Sequence, residues 1–435
     1  MNYSRFINPI SASRSLLPLR KLAEIQTNGG PSLLSLGTGN PNPICFPFEE
    51  IMIKTKDQQK YKIEGNLLNV ALNYGASQGM QELIRWLKQL QVIVHEPPTM
   101  HRPAGDDGKM ELIIVPGSQD GLSKCLEMLV QPGDYVLAEE PAFPGAVAAL
   151  KPYHPRYLVI ESDDKGMRPE SIRKLLSPWT PEDAYKTSKR MPKMLIIQPN
   201  HCNPTGVTLP LERRREIYKI AQEYNLVIIE DDPYHFLTFG GLPPPPSFLS
   251  MDVDGRVLKL DSFSKVMSAG IRMGTLTGPK ALVDRVLMHV ASSSVQCNTL
   301  SQVMIFELFK RWGHFGFFEH TKKVALFYES QCDKMLKAAE THLTGLADWN
   351  TPTGGMFIWL KVRGIDDTCK LIMERALAKK VVLAPGSHFM LDTNKPTPCL
   401  RASYSFVNEQ QMNEAFKRLA QVIRDQYGES VSLSA

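Results

Sequence analysis

The sequence predicts an α/β protein: a large domain built on a mostly parallel sheet flanked by helices, followed by a smaller α+β domain. Three observations lead there. Up to His320, short apolar runs suited to buried strands alternate with amphipathic stretches suited to helices. Several of those runs end in polar residues able to do chemistry, as strand ends in open α/β sheets do. Beyond His320 the alternation gives way to one long helical stretch and then separate strand-like segments.

Taken in order, Gln81–Val94 places Leu83, Ile84, Leu87 and Leu90 on one helical side. Leu112–Val115 reads as a strand. Gly117-Ser118-Gln119-Asp120-Gly121 follows it and opens a helix carrying Leu122, Leu126 and Leu129. Tyr135–Ala138 is the next strand, and Met194–Ile197 another. Glu212–Tyr224 is helical and leads into the strand Leu226–Ile229, and Val257–Leu260 is strand-like. Pro97–Lys109 and Pro178–Pro192 are broken by Pro, Gly and polar residues and read as surface insertions. In the last part a helix spans about His320–Leu343. After it come Gly354–Leu360, a helix, Val381–Gly386, Leu400–Ser403 and a terminal helix.

The chain has 435 residues, enough for two domains and a large core. A net charge of +5 without any Lys/Arg block gives no sign of nucleic acid as a partner. Charged or polar residues interrupt every apolar stretch, so no membrane-spanning helix is expected. The seven cysteines are scattered, odd in number and form no C-x-x-C, which suits free thiols in a reducing compartment. The first 23 residues hold no Asp or Glu but carry Arg5, Arg14, Arg20 and Lys21. Two readings fit: a mitochondrial transit peptide, or an ordered arm that is basic.

The chemistry centres on Lys265 in Asp261-Ser262-Phe263-Ser264-Lys265, with Arg272 downstream. One reading is a solvated loop charge. The other is an amine that holds the aldehyde of pyridoxal phosphate, with the hydroxyls and the guanidinium on its phosphate. Two further segments lie at strand ends: Asn203-Pro204-Thr205-Gly206 after Met194–Ile197, and Glu230-Asp231-Asp232-Pro233-Tyr234 after Leu226–Ile229. For the acidic segment a solvated loop or a metal site is the alternative. His235 is the one histidine nearby, so no metal is expected.

In that order, Asn203-Pro204-Thr205-Gly206, Asp231-x-x-Tyr234, Ser262-x-Ser264-Lys265, Arg272 and Arg401 resemble the class I/II aminotransferases of PLP-dependent fold type I. Glu230–Tyr234, Leu249–Val257 and Trp86–Gln91 are similar to the kynurenine/α-aminoadipate branch of that family, and the likeness runs through nearly the whole chain.

The resemblance implies a role for each matching residue. Lys265 carries the cofactor, and Asp231 pairs with its pyridine nitrogen. Tyr234 and Asn203 bond its phenolic oxygen. Ser118, Gln119, Ser262, Ser264 and Arg272 hold its phosphate, with Tyr74 reaching in from a second subunit. Phe143 stands where the family usually has a tyrosine stacked on the ring. Arg401 takes the substrate α-carboxylate, Arg20 its distal end, and Gly39, Asn40, Tyr74 and Asn203 line the substrate site. The sequence departs from the family pattern at Thr38-Gly39-Asn40 and at His201-Cys202.

The implied activity is ping-pong transfer of the amino group of L-2-aminoadipate and L-kynurenine to 2-oxoglutarate, by a homodimer of the mitochondrial matrix or else the cytoplasm. The alternatives are a broad aromatic or branched-chain aminotransferase and, from another class, a PLP-binding regulator or sensor. The implied domains are an N-terminal arm, 1–45, packing on the small domain and the active site; a large PLP-binding domain, 46–320; and a small C-terminal α+β domain, 321–435.

Overall fold

The computed structural model describes all residues except 16, 17, 19–21, 23, 24, 26–31, 35, 38, 187, 188, 242, 434 and 435, together with the side chains of 429–433. The chain divides into two compact units. The first comprises Met1–Gln131, Val227–Pro233 and Phe248–Phe318, and the second Pro132–Leu226, Tyr234–Ser247 and Glu319–Ala435.

In the first unit four strands lie in the order Met110–Val115, Gly274–Pro279, Val257–Ser262, Val227–Asp231. The first two pairings are antiparallel and the last is parallel. Val227–Asp231 and Gly274–Pro279 are buried at every position. Such strands have both faces covered, which is why Val227–Ile229 reads as an apolar run rather than an alternating one. Ser118–Leu129 packs on this sheet at close range. A Cβ on Gly121 would stand 2.6 Å from Leu260 Cδ2, so a larger residue there would have to push Leu260 aside.

Glu50–Lys54 and Lys60–Glu64 form an antiparallel hairpin. Its Ile63 packs with Leu68, Ala71 and Val303. The first residues of the basic N-terminus pack against the first unit. Tyr3, Phe6, Asn8 and Ser11 are buried. Asn8 Nδ2 donates to the carbonyls of Glu127 (2.6 Å) and Val130 (2.9 Å). Ser11 Oγ sits 2.8 Å from His289 Nε2, whose Nδ1 lies 3.0 Å from Glu127 Oε2. Arg20 lies outside the described residues.

In the second unit Arg156–Ile160, Tyr135–Glu139 and Met194–Ile197 pair in parallel. A separate antiparallel sheet orders Ala347–Trp349, Phe357–Val362, Cys399–Ser403 and Ala384–Pro385. Its core includes Met335, Ala339, Leu360, Leu400, Phe416 and Ile423. The helix expected from His320 begins earlier: residues Thr299–Leu343 are helical, interrupted where Gly313 takes φ 61°, ψ −175°. Gly313 and Gly316 mask the helical periodicity of the first half. Among the described residues no helix is long and apolar enough to cross a membrane.

Candidate active site

Strand alternation sorts the three acids after Val227. In the parallel register Lys259 lies beside Glu230, and Leu260 beside Asp231. Glu230, Asp232, Lys259 and Asp261 therefore share one face, and Asp231, Leu260 and Ser262 the other. On the first face every group is engaged. Glu230 accepts from the amides of Phe248 (3.0 Å) and Leu249 (3.1 Å). Lys259 Nζ donates to Asp232 Oδ2 at 2.9 Å and pairs with Asp261 Oδ1 at 3.1 Å. Gln91 Nε2 donates to Asp261 Oδ2 at 2.8 Å. Burial alone would lower the Lys259 amine, but Asp232, Asp261 and Glu230 raise it well above its usual value. This ion cluster fixes the strands. Asp231, only 3 % exposed, is left on the face where the Ser118 helix begins.

On that face the lysine turn and the helix start meet. Ser262 stands opposite Gly274 in the ladder. A Cβ on Gly274 would lie 2.9 Å from the Ser118 nitrogen. The helix Ser118–Leu129 starts on Gly117 without a side-chain cap, so its first amides are aimed outward. Arg272, held at φ 53°, donates from Nη2 to the Pro116 carbonyl (3.1 Å) and from Nη1 to Ser264 Oγ (3.3 Å). Its guanidinium fills the space a Cβ on Gly117 would need. Ser262 Oγ accepts from the Ser264 amide at 3.2 Å. Ser262, Ser264 and Arg272 are thus brought to the start of the Ser118 helix, with half-buried Lys265 next along the same turn.

Phe263 anchors the turn. Its ring packs 5.7 Å from Phe309 and 6.3 Å from Phe317, and Phe309 stacks on Trp86 at 4.2 Å. Tyr74 is 59 % exposed. Gly39 and Asn40 are exposed as well, and a Cβ on Gly39 would meet none of the described residues within 4 Å.

The second unit gathers Asn203, Tyr234 and Arg401. Arg401 lies opposite Trp359 on the antiparallel sheet, on the face that also carries Phe357. Its guanidinium rests 4.1 Å from the Phe357 ring centre and 4.9 Å from that of Phe389. Nη1 donates to Asn203 Oδ1 at 2.7 Å. Burial lowers the Arg401 pKa, an effect that nearby Tyr234 opposes. Tyr234 is buried and sets its ring edge-on to Phe357 at 6.0 Å. The Phe143 loop joins this group through the Ala142 amide, which donates to the Phe389 carbonyl at 2.7 Å.

Phe357 and Phe389 were not among the residues singled out from sequence. Alternation along Phe357–Val362 could have found the first. Phe389 comes from a short 3-10 turn and left no periodic signal.

Residues 55–419 match the family model described as aminotransferase class I and II. The chain is 46% identical to the mouse kynurenine/alpha-aminoadipate aminotransferase, mitochondrial, over 98% of this chain and 100% of that protein. It is similar to the crystal structure of aminotransferase Aro8 from Candida albicans, at TM-score 0.83 and 25% identity, covering 98% of this chain and 99% of the other. It is also similar to the Pyrococcus horikoshii kynurenine aminotransferase solved with PMP, KYN as substrates and KYA as products. That match has TM-score 0.74 and 28% identity over 98% of each chain.

The donor set fits the family's cofactor, pyridoxal phosphate. Two hydroxyls, an arginine and a helix start without a side-chain cap suit a phosphate dianion, and a Cβ at position 117 would displace that arginine. Among the described residues no group of His, Cys, Asp and Glu could hold a metal. By sequence, by fold and by this donor set, the chain belongs to the class I and II aminotransferases.

Proposed function

We propose that the chain transfers the amino group of L-2-aminoadipate and L-kynurenine to 2-oxoglutarate in a ping-pong cycle. The observation that carries this reading is the Arg401 fork, lying over the Phe357 and Phe389 rings and bonded to Asn203, the arrangement an α-carboxylate reader needs. The likeness to the mouse kynurenine/alpha-aminoadipate aminotransferase supports the choice of donors.

Bound pyridoxal phosphate supplies an electron sink that acidifies the substrate Cα–H and a carbon that carries the amino group. The chain's own residues do the rest. Ser118, Gln119, Ser262, Ser264 and Arg272 would hold the phosphate. Asp231, buried on its strand end, would keep the proton on the pyridine nitrogen. Tyr234 and Asn203 would bond the phenolic oxygen, and Phe143 would cover the ring without offering a hydroxyl. Lys265 Nζ would hold the cofactor and then carry the proton to and from the substrate Cα. Arg401 would fix the α-carboxylate, and Arg20, Gly39 and Asn40 would lie around the side chain.

The working form is a homodimer in the mitochondrial matrix, each Tyr74 completing the partner's site; its 59 % exposure supports that role. The domains we propose are an arm 1–45, a large domain 46–320 and a small domain 321–435. The core of the antiparallel sheet, whose buried residues all lie between Cys332 and Ile423, supports the last boundary.

A panel of amino donors with 2-oxoglutarate tests the reading. Aminoadipate and kynurenine should rank among the best donors, with parallel double-reciprocal plots for donor and acceptor. Turnover confined to other donors would overturn it.

A further inference from the structure

His201 is placed where most side chains should be unwelcome. It takes φ 49°, a left-handed conformation uncommon outside glycine and tolerated best by asparagine, aspartate and histidine, and it is 1 % exposed. Its ring lies against the Gly354-Gly355 turn: a Cβ on Gly354 would collide with the imidazole, and one on Gly355 would stand 2.8 Å from His201 Cβ. That turn is itself pinned. The Gly355 amide donates to the Leu237 carbonyl (3.0 Å), and Tyr404 Oη donates to the Gly354 carbonyl (3.0 Å). The turn leads directly into Phe357, which faces Arg401.

The hydrogen bonds assign the ring's tautomer. Thr208 Oγ1 accepts from the His201 amide at 3.2 Å, so its own proton is free to go to His201 Nδ1 at 2.9 Å. Thr238 Oγ1 donates to the His235 carbonyl at 3.3 Å, so it accepts from His201 Nε2–H at 3.0 Å. A neutral imidazole protonated on Nε2 satisfies both threonines. It bridges the loop that carries Asn203 to the segment after Tyr234, directly over the turn that delivers Phe357.

We propose that His201 is a positioning residue for substrate carboxylate binding. Its imidazole sets the spacing between the Asn203 loop and the Gly354–Phe357 turn, and through them the Asn203–Arg401 pair and the aromatic face under the guanidinium. The proposal rests on Arg401 as the α-carboxylate reader. It gives a role to one of the two positions, 201 and 202, at which the motif departs from the family pattern.

The experiment compares holoenzyme carrying His201→Asn, Thr208→Val, Thr238→Val or Arg401→Lys with the parent protein. Asparagine tolerates the left-handed backbone but cannot span both threonines. For His201→Asn, KM for amino donors and for 2-oxoglutarate should rise together by about tenfold, the loss of one or two net hydrogen bonds, with kcat nearly unchanged. Each threonine variant should raise KM by itself, and the Thr208→Val/Thr238→Val pair should raise it less than additively, since both act through one ring. Histidine 15N spectra of the parent should contain a resonance pair with Nε2 protonated and Nδ1 bare that is lost in His201→Asn.

An unchanged KM in folded His201→Asn, a fall in kcat alone, additive threonine effects, or the opposite tautomer would each overturn the proposal. Arg401→Lys separates the two levels. If it raises KM while His201→Asn does not, only the role of His201 fails; if it has no effect, the carboxylate reading falls and this proposal with it.

Discussion

Arg401 Nη1 donates to Oδ1 of Asn203 across 2.7 Å, joining a strand of the antiparallel sheet to the loop after Met194–Ile197. One donor of the guanidinium is thereby engaged, and two aromatic rings lie against it. Four N–H donors remain to meet a carboxylate in the plane that the rings leave open. Lysine offers neither the fork nor the flat faces. Arg401→Lys is expected to lower kcat/KM for every donor by a similar factor, about 10- to 150-fold for a charge-assisted contact worth about 1.5–3 kcal/mol. Steady-state kinetics over the donor panel checks this, and a loss confined to one donor class would count against it.

Phe263 is the structural partner of the Lys265 turn. Its ring sits in the cluster of Trp86, Phe309 and Phe317, while its neighbours Ser262 and Ser264 bond to each other and Ser264 also bonds to Arg272. Phe263→Ala should cost about 3–5 kcal/mol of stability, as truncations of buried aromatic side chains do. It should also weaken cofactor retention, because the hydroxyls lose their fixed spacing. Denaturant unfolding and cofactor loss on dialysis measure the two effects. Phe263→Leu should restore most of both.

Glu139 ends the strand Tyr135–Glu139 and accepts from Ser162 Oγ at 2.6 Å. Burial pushes its carboxyl up to about 7, with the Ser162 hydrogen bond pulling the other way. In the unfolded chain a glutamate titrates near about 4.3, so between those values the folded chain binds the proton more firmly. Stability from this group therefore falls as pH rises through that window, and above the folded pKa the full penalty remains. Glu139→Gln keeps the acceptor for Ser162 and removes the titration. It is expected to raise Tm at about pH 8 and change it little at about pH 5. Thermal melts at the two pH values decide the point, and an equal shift at both would contradict it.

Much of this site was legible in the sequence because strand ends leave local marks. Apolar runs that stop shortly before Asn203 and Asp231, or lead toward Lys265, announce where buried strands meet polar loops. The choice of Asp231 among three adjacent acids came from the family resemblance. The parallel register supplies the physical reason, by turning Glu230 and Asp232 onto the Lys259 face. Other features left weak marks. Gly274–Pro279 is fully buried, yet its Gly-Thr-Leu-Thr-Gly-Pro hardly reads as a strand, because close backbone approach rather than apolar bulk holds it there. Phe389 reaches Arg401 from a 3-10 turn, and His201 meets Gly354 through the fold of the second unit. Contacts of that kind join distant positions and have no periodicity to betray them.

The central claim is that the Ser262–Lys265 turn and the Ser118 helix start form the cofactor cradle, with Lys265 as the amine that holds the cofactor. Borohydride reduction of the purified holoenzyme, followed by peptide mapping, tests it most directly. The account expects the yellow absorbance to vanish and one stable phosphopyridoxyl group to appear on the peptide containing Lys265. A label on any other lysine, or no label on a protein that still turns over, would contradict it.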